Sequence, residues 1–369
     1  MSDHMLYGAQ LDASRTADVL TYLFKTNLLN QEEGLSATPV CIWGLHGIGK
    51  TMMVEEFARK NGWEFAYCAP AQFEEMGDLN GLPVLAERDG QNVTQFAPPD
   101  WVPKAEGPGI LLIDDINRAD DRILRGLMQL LQKSEMFSWS LPSRWQIVCT
   151  ANPEGGDYSV TPMDDAMLTR LLHISMVFDA KAWARWASQN NVDERGIAFV
   201  LTYPESITGR QTTPRSMTQF FSQIRRIEDL KAEADLVYTL GMSSLDEVTV
   251  STFMAFINDN LQKLVSPEEI LNAEKFKVIA DRVASLSEGG KRMDHLSTMC
   301  TRLYLLLIHQ KKYKPEARHQ KNLVDFLSLD VIPNDLRMTL HRELIRDCGE
   351  PVRAMLRDPK LAQLILSGM

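Results

Sequence analysis

Two apolar patterns divide the chain. Over its first half, short stretches that are apolar almost throughout stand between turn residues: Pro39-Val40-Cys41-Ile42-Trp43, Gly109-Ile110-Leu111-Leu112-Ile113 and Trp145-Gln146-Ile147-Val148-Cys149-Thr150. Runs of this kind without polar alternation predict strands covered on both faces, as at the centre of a parallel sheet. Residues 64–69 read as a further strand, 11–30 as a helix packed on this domain, and 52–60 as the helix after the first run. Residues 136–144 suit a short hairpin, and 72–104 are too long for a simple connection, a length that usually marks a functional segment. From Asp179 onward strands give way to helices. Apolar residues recur at spacings of three and four around Trp183 and Trp186, Phe220 and Ile224, and Phe253 and Ile257, with a turn over 241–245. The tail, 266–369, keeps the helical pattern, punctuated by Pro333, Pro351 and Pro359. Within it 299–309 is strongly apolar, with Leu303, Leu305, Leu306 and Leu307 close together. That run is shorter than the ~20 residues that span a bilayer, so it reads as a buried helix.

The first apolar run leads directly into Gly44-Leu45-His46-Gly47-Ile48-Gly49-Lys50-Thr51, a full G-x-x-x-x-G-K-[ST] phosphate-binding loop in the strand–loop–helix setting the motif needs. Glycines let the backbone curl so that successive N–H groups point at phosphate oxygens. The helix starting near Lys50 adds unpaired N–H groups and the positive end of its dipole. The motif assigns nucleotide contact to Gly44, His46, Gly47, Ile48, Gly49, Lys50, Thr51 and Met52. Lys50 reaches the β- and γ-phosphates, and Thr51 offers its hydroxyl to Mg²⁺.

The second run ends in Asp114-Asp115. Acids at the carboxyl end of a buried parallel strand sit where ligands bind in open α/β sheets, and this is the pattern of a Walker B strand. Asp114 then holds Mg²⁺ and Asp115 polarises the attacking water. Asp120-Asp121 nearby fits a helix N-cap instead. The third run ends in Ala151-Asn152-Pro153, where a polar residue at a strand tip can orient water against the γ-phosphate, although Asn before Pro is also an ordinary turn signal.

These motifs occur in order, and Leu112-Ile113-Asp114-Asp115-Ile116-Asn117-Arg118-Ala119 resembles the corresponding block of MoxR-type AAA+ ATPases, the group that includes the AAA_5 family. Further similar blocks are Asp78-Leu79-Asn80-Gly81-Leu82-Pro83, Pro98-Pro99-Asp100-Trp101-Val102-Pro103, Leu141-Pro142-Ser143-Arg144-Trp145, Trp183-Ala184-Arg185-Trp186-Ala187 and Thr213-Pro214-Arg215-Ser216. The likeness is good over 12–269 and weak as far as 336. It implies an α/β P-loop NTPase core with a parallel sheet (1–176), an α-helical lid (177–262) and a helical C-terminal extension (263–369), with ATP and Mg²⁺ as ligands. It places Asn152 at sensor 1, Arg170 at the arginine finger that reaches a neighbouring subunit's ATP, and Arg215 at sensor 2 of the lid. It implies a homo-oligomeric ring, a hexamer, that remodels, matures or activates a partner protein, with a von Willebrand factor A-type protein as one such partner. It makes 72–104 the hairpin insertion of the helix-2-insert clade, facing a central pore. Trp101 stays open between a pore or interface residue and a packed core residue. Arg118 stays open between a second subunit-bridging arginine and a partner of Asp120 or Asp121. One departure matters: the family's second acid is usually Glu, and Asp115 withdraws the carboxylate by one methylene, about 1.5 Å. Misplacing a catalytic group by ~1 Å can cost ~100-fold in rate, so a nucleotide switch that hydrolyses slowly is an alternative.

Composition narrows the rest. The 369 residues leave room for two or three domains of ~100–200 residues, and 44% hydrophobic with 24% charged residues is ordinary for a globular chain. Residues 1–10 lack the basic start and apolar core of a signal peptide. Five scattered cysteines form no C-x-x-C pair, so neither a metal framework nor a disulfide set is indicated, and Cys41 and Cys149 read as small buried hydrophobes. These features fit a cytoplasmic protein. The net charge of −10 argues against a large nucleic-acid surface, which disfavours a nucleic-acid-directed motor. A local basic channel in an oligomer is compatible with it. Lys311-Lys312-Tyr313-Lys314, the densest basic cluster, reads as a solvated loop or helix end. No N-K-x-D block for reading guanine is present.

Overall fold

The computed structural model describes residues 7–154, 160–208, 210–260, 264–285, 292–309 and 315–366; Lys311, Lys312, Tyr313 and Lys314 lie outside the described residues. The chain divides into two compact units, Met1–Asp179 and Ala180–Met369.

In chain order the first unit contains β1 (Ala9–Leu11), α1 (Ala13–Glu32), β2 (Val40–Trp43), α2 (Lys50–Asn61), β3 (Glu64–Cys68), α3 (Met76–Asn80), β4 (Leu82–Arg88), β5 (Gln91–Ala97), β6 (Gly109–Ile113), α4 (Asp121–Lys133), β7 (Glu135–Met136), β8 (Trp139–Ser140), β9 (Trp145–Ala151), α5 (Asp165–Leu168) and β10 (Leu172–Met176). Six strands make one parallel sheet in the order β1-β10-β2-β9-β6-β3. The apolar runs are its central strands, and their lack of alternation has a direct cause. Val40 and Ile42 of β2 face a core with Leu20 and Phe24 of α1 and Val54 and Phe57 of α2. Cys41 and Trp43 face a second core, built with Ile123, Leu124, Leu127 and Leu131 of α4. Both faces are covered, so both sets of side chains are apolar. All five cysteines are buried. Desolvation pushes the thiols of Cys41 and Cys149 well above their ordinary value, as expected of inert core residues.

Register sets the position of the site. Trp43 pairs with Ala151 and Ile113 pairs with Cys149, so β2, β9 and β6 end almost level. Gly44, Asn152 and Asp114 therefore leave the sheet side by side. Two hairpins interrupt the layers. β4 and β5 pair antiparallel from Leu82 opposite Ala97 to Arg88 opposite Gln91. They turn at Asp89 and Gly90, both with positive φ (55° and 73°), the backbone a two-residue hairpin turn favours. β7 and β8 form the smaller hairpin. The two touch through the rings of Phe96 and Phe137, 5.5 Å apart, and a hydrogen bond of 3.0 Å from the Phe96 N–H to Ser138 Oγ. Trp101 is a packed residue: it donates to the Asp78 carbonyl at 3.1 Å, stacks on Phe73 and meets Trp139 edge-on.

The second unit is helical: α6 (Ala180–Gln189), α7 (Glu194–Thr202), α8 (Pro214–Ile224), α9 (Ala234–Met242), α10 (Glu247–Ala255), α11 (Pro267–Asn272), α12 (Phe276–Ser285), α13 (Arg292–Ile308), α14 (Ala317–Leu327), α15 (Asn334–Asp347), α16 (Glu350–Met355) and α17 (Pro359–Leu366), with one π turn at Phe256–Asn260. Phe199, Phe220, Phe253 and Phe256 form an aromatic cluster at its centre, each fully or almost fully buried. The strongly apolar stretch of the tail is α13, which packs against α6, α7, α11 and α15. Proline marks the start of α16 and of α17 and caps α15. The expected turn at 241–245 begins later, because Gly241 lies inside α9. A Cβ there would come within 3.0 Å of Val250, so this glycine serves close helix packing and not a turn.

A candidate nucleotide site at the carboxyl ends of three strands

The loop between β2 and α2 is shaped by its glycines. Gly49 caps α2 in the left-handed region at φ 100°. Gly44 has φ 159°, and a Cβ on it would come within 2.8 Å of the Met176 carbonyl oxygen of β10. Neither place suits a larger residue. Gly47 also has positive φ, Ile48 packs against the α1/α2 core, His46 is half-buried and Met52 is exposed on the first turn of α2. The buried Lys50 folds back over the loop, and its Nζ donates to the carbonyls of Gly44 at 2.7 Å and Leu45 at 3.3 Å and to Asn152 Oδ1 at 3.1 Å.

The acids emerge from β6 into hydroxyl groups. Asp114 Oδ1 accepts from Thr51 Oγ1 at 2.8 Å and from Thr150 Oγ1 at 2.6 Å, and Oδ2 accepts from the Tyr67 hydroxyl at 3.1 Å. Burial, followed by the Asp114 carboxylate it faces, pushes the Tyr67 phenol up to about 12, so it remains a donor at neutral pH. Thr150 also accepts the backbone N–H of Asp115 at 2.7 Å, tying both acids to β9. Asp115 is left-handed (φ 48°, ψ 47°). Its Oδ1 accepts from Asn152 Nδ2 at 2.9 Å, and its Oδ2 lies 3.6 Å from Arg118 Nη1. Arg118 therefore pairs with neither of the acids expected on its far side: Asp120 caps α4 through the N–H groups of Arg122 and Ile123, and Asp121 pairs with Arg125.

Asn152 joins the two halves. Its side chain touches Lys50 on one side and Asp115 on the other. Its backbone is held independently by the fully buried Asn117, which accepts from the Asn152 N–H at 3.1 Å and donates to its carbonyl at 2.7 Å. The sheet order makes this possible, since β9 lies between β2 and β6. Arg170 stands just beyond α5, and its guanidinium donates to Gln132 Oε1 of α4 at 3.3 Å and to the Ala166 carbonyl. Arg215 is carried by the second unit, exposed on the first turn of α8 behind a capping box made by Thr213 and Ser216.

Residues 39–171 match the family model described as the AAA domain of the dynein-related subfamily. That match spans the loop, both acids, Asn152 and Arg170. The first unit carries an AAA+ ATPase domain. The chain matches none of the curated proteins. Among solved structures, the Thermotoga maritima RuvB Holliday junction branch migration motor is similar at 14% identity over 93% of this chain and 90% of that chain, with a TM-score of 0.37. A proposed ATPase from Cytophaga hutchinsonii is similar at 12% identity over 89% and 90%, with a TM-score of 0.32.

Thr150, Asn117 and Tyr67 are parts of the candidate site that motif reading passed over. A signal existed for the first two. Thr150 is a polar residue near the end of a strand whose other polar member is Gln146, and Asn117 is an amide between Ile116 and Arg118 just past the two acids. Polar groups so placed must find partners inside. Tyr67 gave none. The oxygen set of Thr51 and Asp114 also fits Mg²⁺: a hydroxyl and a carboxylate oxygen 2.8 Å apart are hard donors of the kind the ion takes beside phosphate oxygens and water.

Proposed function

We propose that this AAA+ ATPase works as a homo-oligomeric ring, a hexamer, in the manner of MoxR-type proteins. Each ATP is hydrolysed with help from the next subunit, and the output is remodelling, maturation or activation of a partner protein. The observation that carries the catalytic part of this reading is the Lys50–Asn152–Asp115 chain, which sets a cation for phosphate oxygens and a carboxylate for water on either side of one amide. The loop N–H groups and Lys50 bind the β- and γ-phosphates. Thr51 and Asp114 hold Mg²⁺, which when bound neutralises charge on the phosphoryl oxygens. Asp115 orients the attacking water and takes its proton. The new bond joins that oxygen to the γ-phosphorus, and the bond from phosphorus to the ADP oxygen breaks. Arg170 is half-buried, bonded to its own turn and to α4, and serves the ATP of the neighbour; Arg215 serves as the sensor of the lid. The three-part division at 176 and 262, and a cytoplasmic setting, belong to the same reading. Among the described residues no helix is long and apolar enough to cross a membrane. A von Willebrand factor A-type protein is the partner class the resemblance names.

A second reading has one observation in its favour. The Asp115 carboxylate is short and already engaged by Asn152 and Arg118, which suits a slow nucleotide switch.

ATP turnover measured together with mass in solution tests the ring motor, for wild type and Arg170→Ala with ATP and Mg²⁺. A finger in trans contributes ~10³–10⁵ in rate. The expected result is assembly of both proteins and loss of turnover in the variant by at least ~100-fold. Full turnover by a monomer, or by Arg170→Ala, would refute the shared site.

A further inference from the structure

One half-buried imidazole lies between the nucleotide loop and the turn that carries Arg170. β10 runs beside β2, with His173 opposite Cys41 and Ser175 opposite Trp43. The Trp43 indole N–H donates to His173 Nδ1 at 2.9 Å. His173 Nε2 lies 2.8 Å from the Leu168 carbonyl oxygen. An indole nitrogen only donates and a carbonyl only accepts. The ring is therefore the neutral tautomer with its proton on Nε2, and both nitrogens are used. Tyr7 covers the pair, its ring centroid 4.5 Å from Trp43 and 5.7 Å from His173, and Ser175 Oγ holds it in place by donating to the Tyr7 carbonyl at 2.8 Å.

The ends of this hydrogen-bonded chain give it meaning. Trp43 is the last residue of β2 and precedes the loop glycine Gly44. Leu168 is the last residue of α5, two positions before Arg170. The pairing of β10 with β2 begins only at Leu172, beyond the arginine, so the sheet does not itself hold that turn. We propose that His173 is a positioning residue that sets Arg170 for the ATP of the neighbouring subunit, with Trp43 making that setting follow the subunit's own nucleotide loop. The proposal rests on the shared-site reading above.

Two substitutions separate the two bonds. In His173→Asn the side-chain oxygen can still accept from Trp43 but the amide falls short of Leu168. In His173→Gln the longer amide can still donate to the Leu168 carbonyl. The assay mixes two inactive proteins. Lys50→Ala subunits lack their own catalysis but offer Arg170, and Arg170→Ala subunits keep a complete loop but offer no finger. Mixing them should recover turnover at sites where the second faces the first. If nothing is recovered, the shared-site reading fails, and this inference with it. Given recovery, His173→Asn is placed on one partner at a time. On the Lys50→Ala giver it should lower recovered turnover about tenfold, consistent with the steep cost of small misplacement in a catalytic group. On the Arg170→Ala receiver the change should stay within about threefold, and fluorescent-nucleotide affinity of the single variant should match wild type. His173→Gln on the giver should restore most of the loss. Equal losses on giver and receiver, no loss on either, or failure of Gln to outperform Asn would each overturn the assignment and leave His173 as a packed core residue.

Discussion

Replacing Asn152 by Ala should abolish most hydrolysis while leaving nucleotide binding and the fold in place. The side chain makes two contacts, with Lys50 Nζ at 3.1 Å and with Asp115 Oδ1 at 2.9 Å. Hydrogen bonds to charged groups contribute ~1.5–3 kcal/mol each. Lys50 keeps two loop carbonyls and the Asp115 side chain is a third exposed, so the lower end applies to both. Losing ~3 kcal/mol at the transition state corresponds to ~100-fold in kcat. Binding is spared because the loop N–H groups and Lys50 remain. The fold is spared because Asn117 grips the backbone of residue 152 and not its side chain. Phosphate release at saturating ATP, titration with a fluorescent nucleotide and a thermal melt report the three quantities. A kcat within about threefold of wild type would refute the reasoning. So would a loss of affinity as large as the loss of rate, since it would place Asn152 in ground-state binding.

Two other outcomes follow from named contacts. Thr150→Val keeps the shape of a fully buried residue but removes the hydroxyl that donates to Asp114 and accepts from Asp115 N–H. A stranded buried N–H costs ~1–3 kcal/mol, so the melting temperature should fall, more Mg²⁺ should be needed to reach half of the Mg²⁺-dependent change in nucleotide fluorescence, and Thr150→Ser should restore both. In the second unit, Asp347 is held down to about 2 by the Arg346 guanidinium, with help from the Tyr304 hydroxyl and Arg185. Its folded value is depressed, so its contribution is present above the ordinary carboxylate range near pH ~4 and is lost as pH falls through about 2. The urea midpoint should drop over that window in wild type and be flatter in Asp347→Asn, and an unchanged acid slope would count against the pair.

The central strands and the short hairpin at 136–144 could be read from sequence because each depends on local pattern, whereas a hairpin within 72–104 was expected only from the family resemblance. Residues of β2 and β6, and most of β9, are apolar on both faces because helices cover both. The loop and the acids were equally legible, since phosphate cradling needs glycines at fixed spacing. What stayed hidden depends on strand order. Thr150 meets Asp114, Asn117 grips Asn152 and Trp43 meets His173 across 36, 35 and 130 positions of chain. No periodicity encodes such pairs; they follow only from β9 lying between β2 and β6, and β10 beside β2. Arg118 shows the same limit at short range. Its nearest acids in the next helix were the natural partners by sequence, but Asp120 and Asp121 are consumed by the start of α4, and the left-handed turn at Asp115 brings that carboxylate round to the guanidinium.

That turn also bears on the missing methylene at residue 115. A left-handed backbone is tolerated by Asp and Asn better than by longer side chains and costs most residues ~1–2 kcal/mol, so the conformation itself favours the shorter acid. The short arm is matched by its surroundings, because the Asp115 carboxylate reaches Asn152 at 2.9 Å. A glutamate built on the same backbone would carry its carboxylate about 1.5 Å further, past the amide that now holds it. Asp115→Glu should therefore be no faster than wild type, whereas Asp115→Asn, which keeps the shape and loses the proton acceptor, should lose ~10²–10⁴ in kcat with ATP still bound. Single-turnover rates on the assembled protein decide between the two accounts of this position. A rise of more than about threefold in Asp115→Glu would mean that the aspartate limits the motor and that its pairing with Asn152 does not compensate.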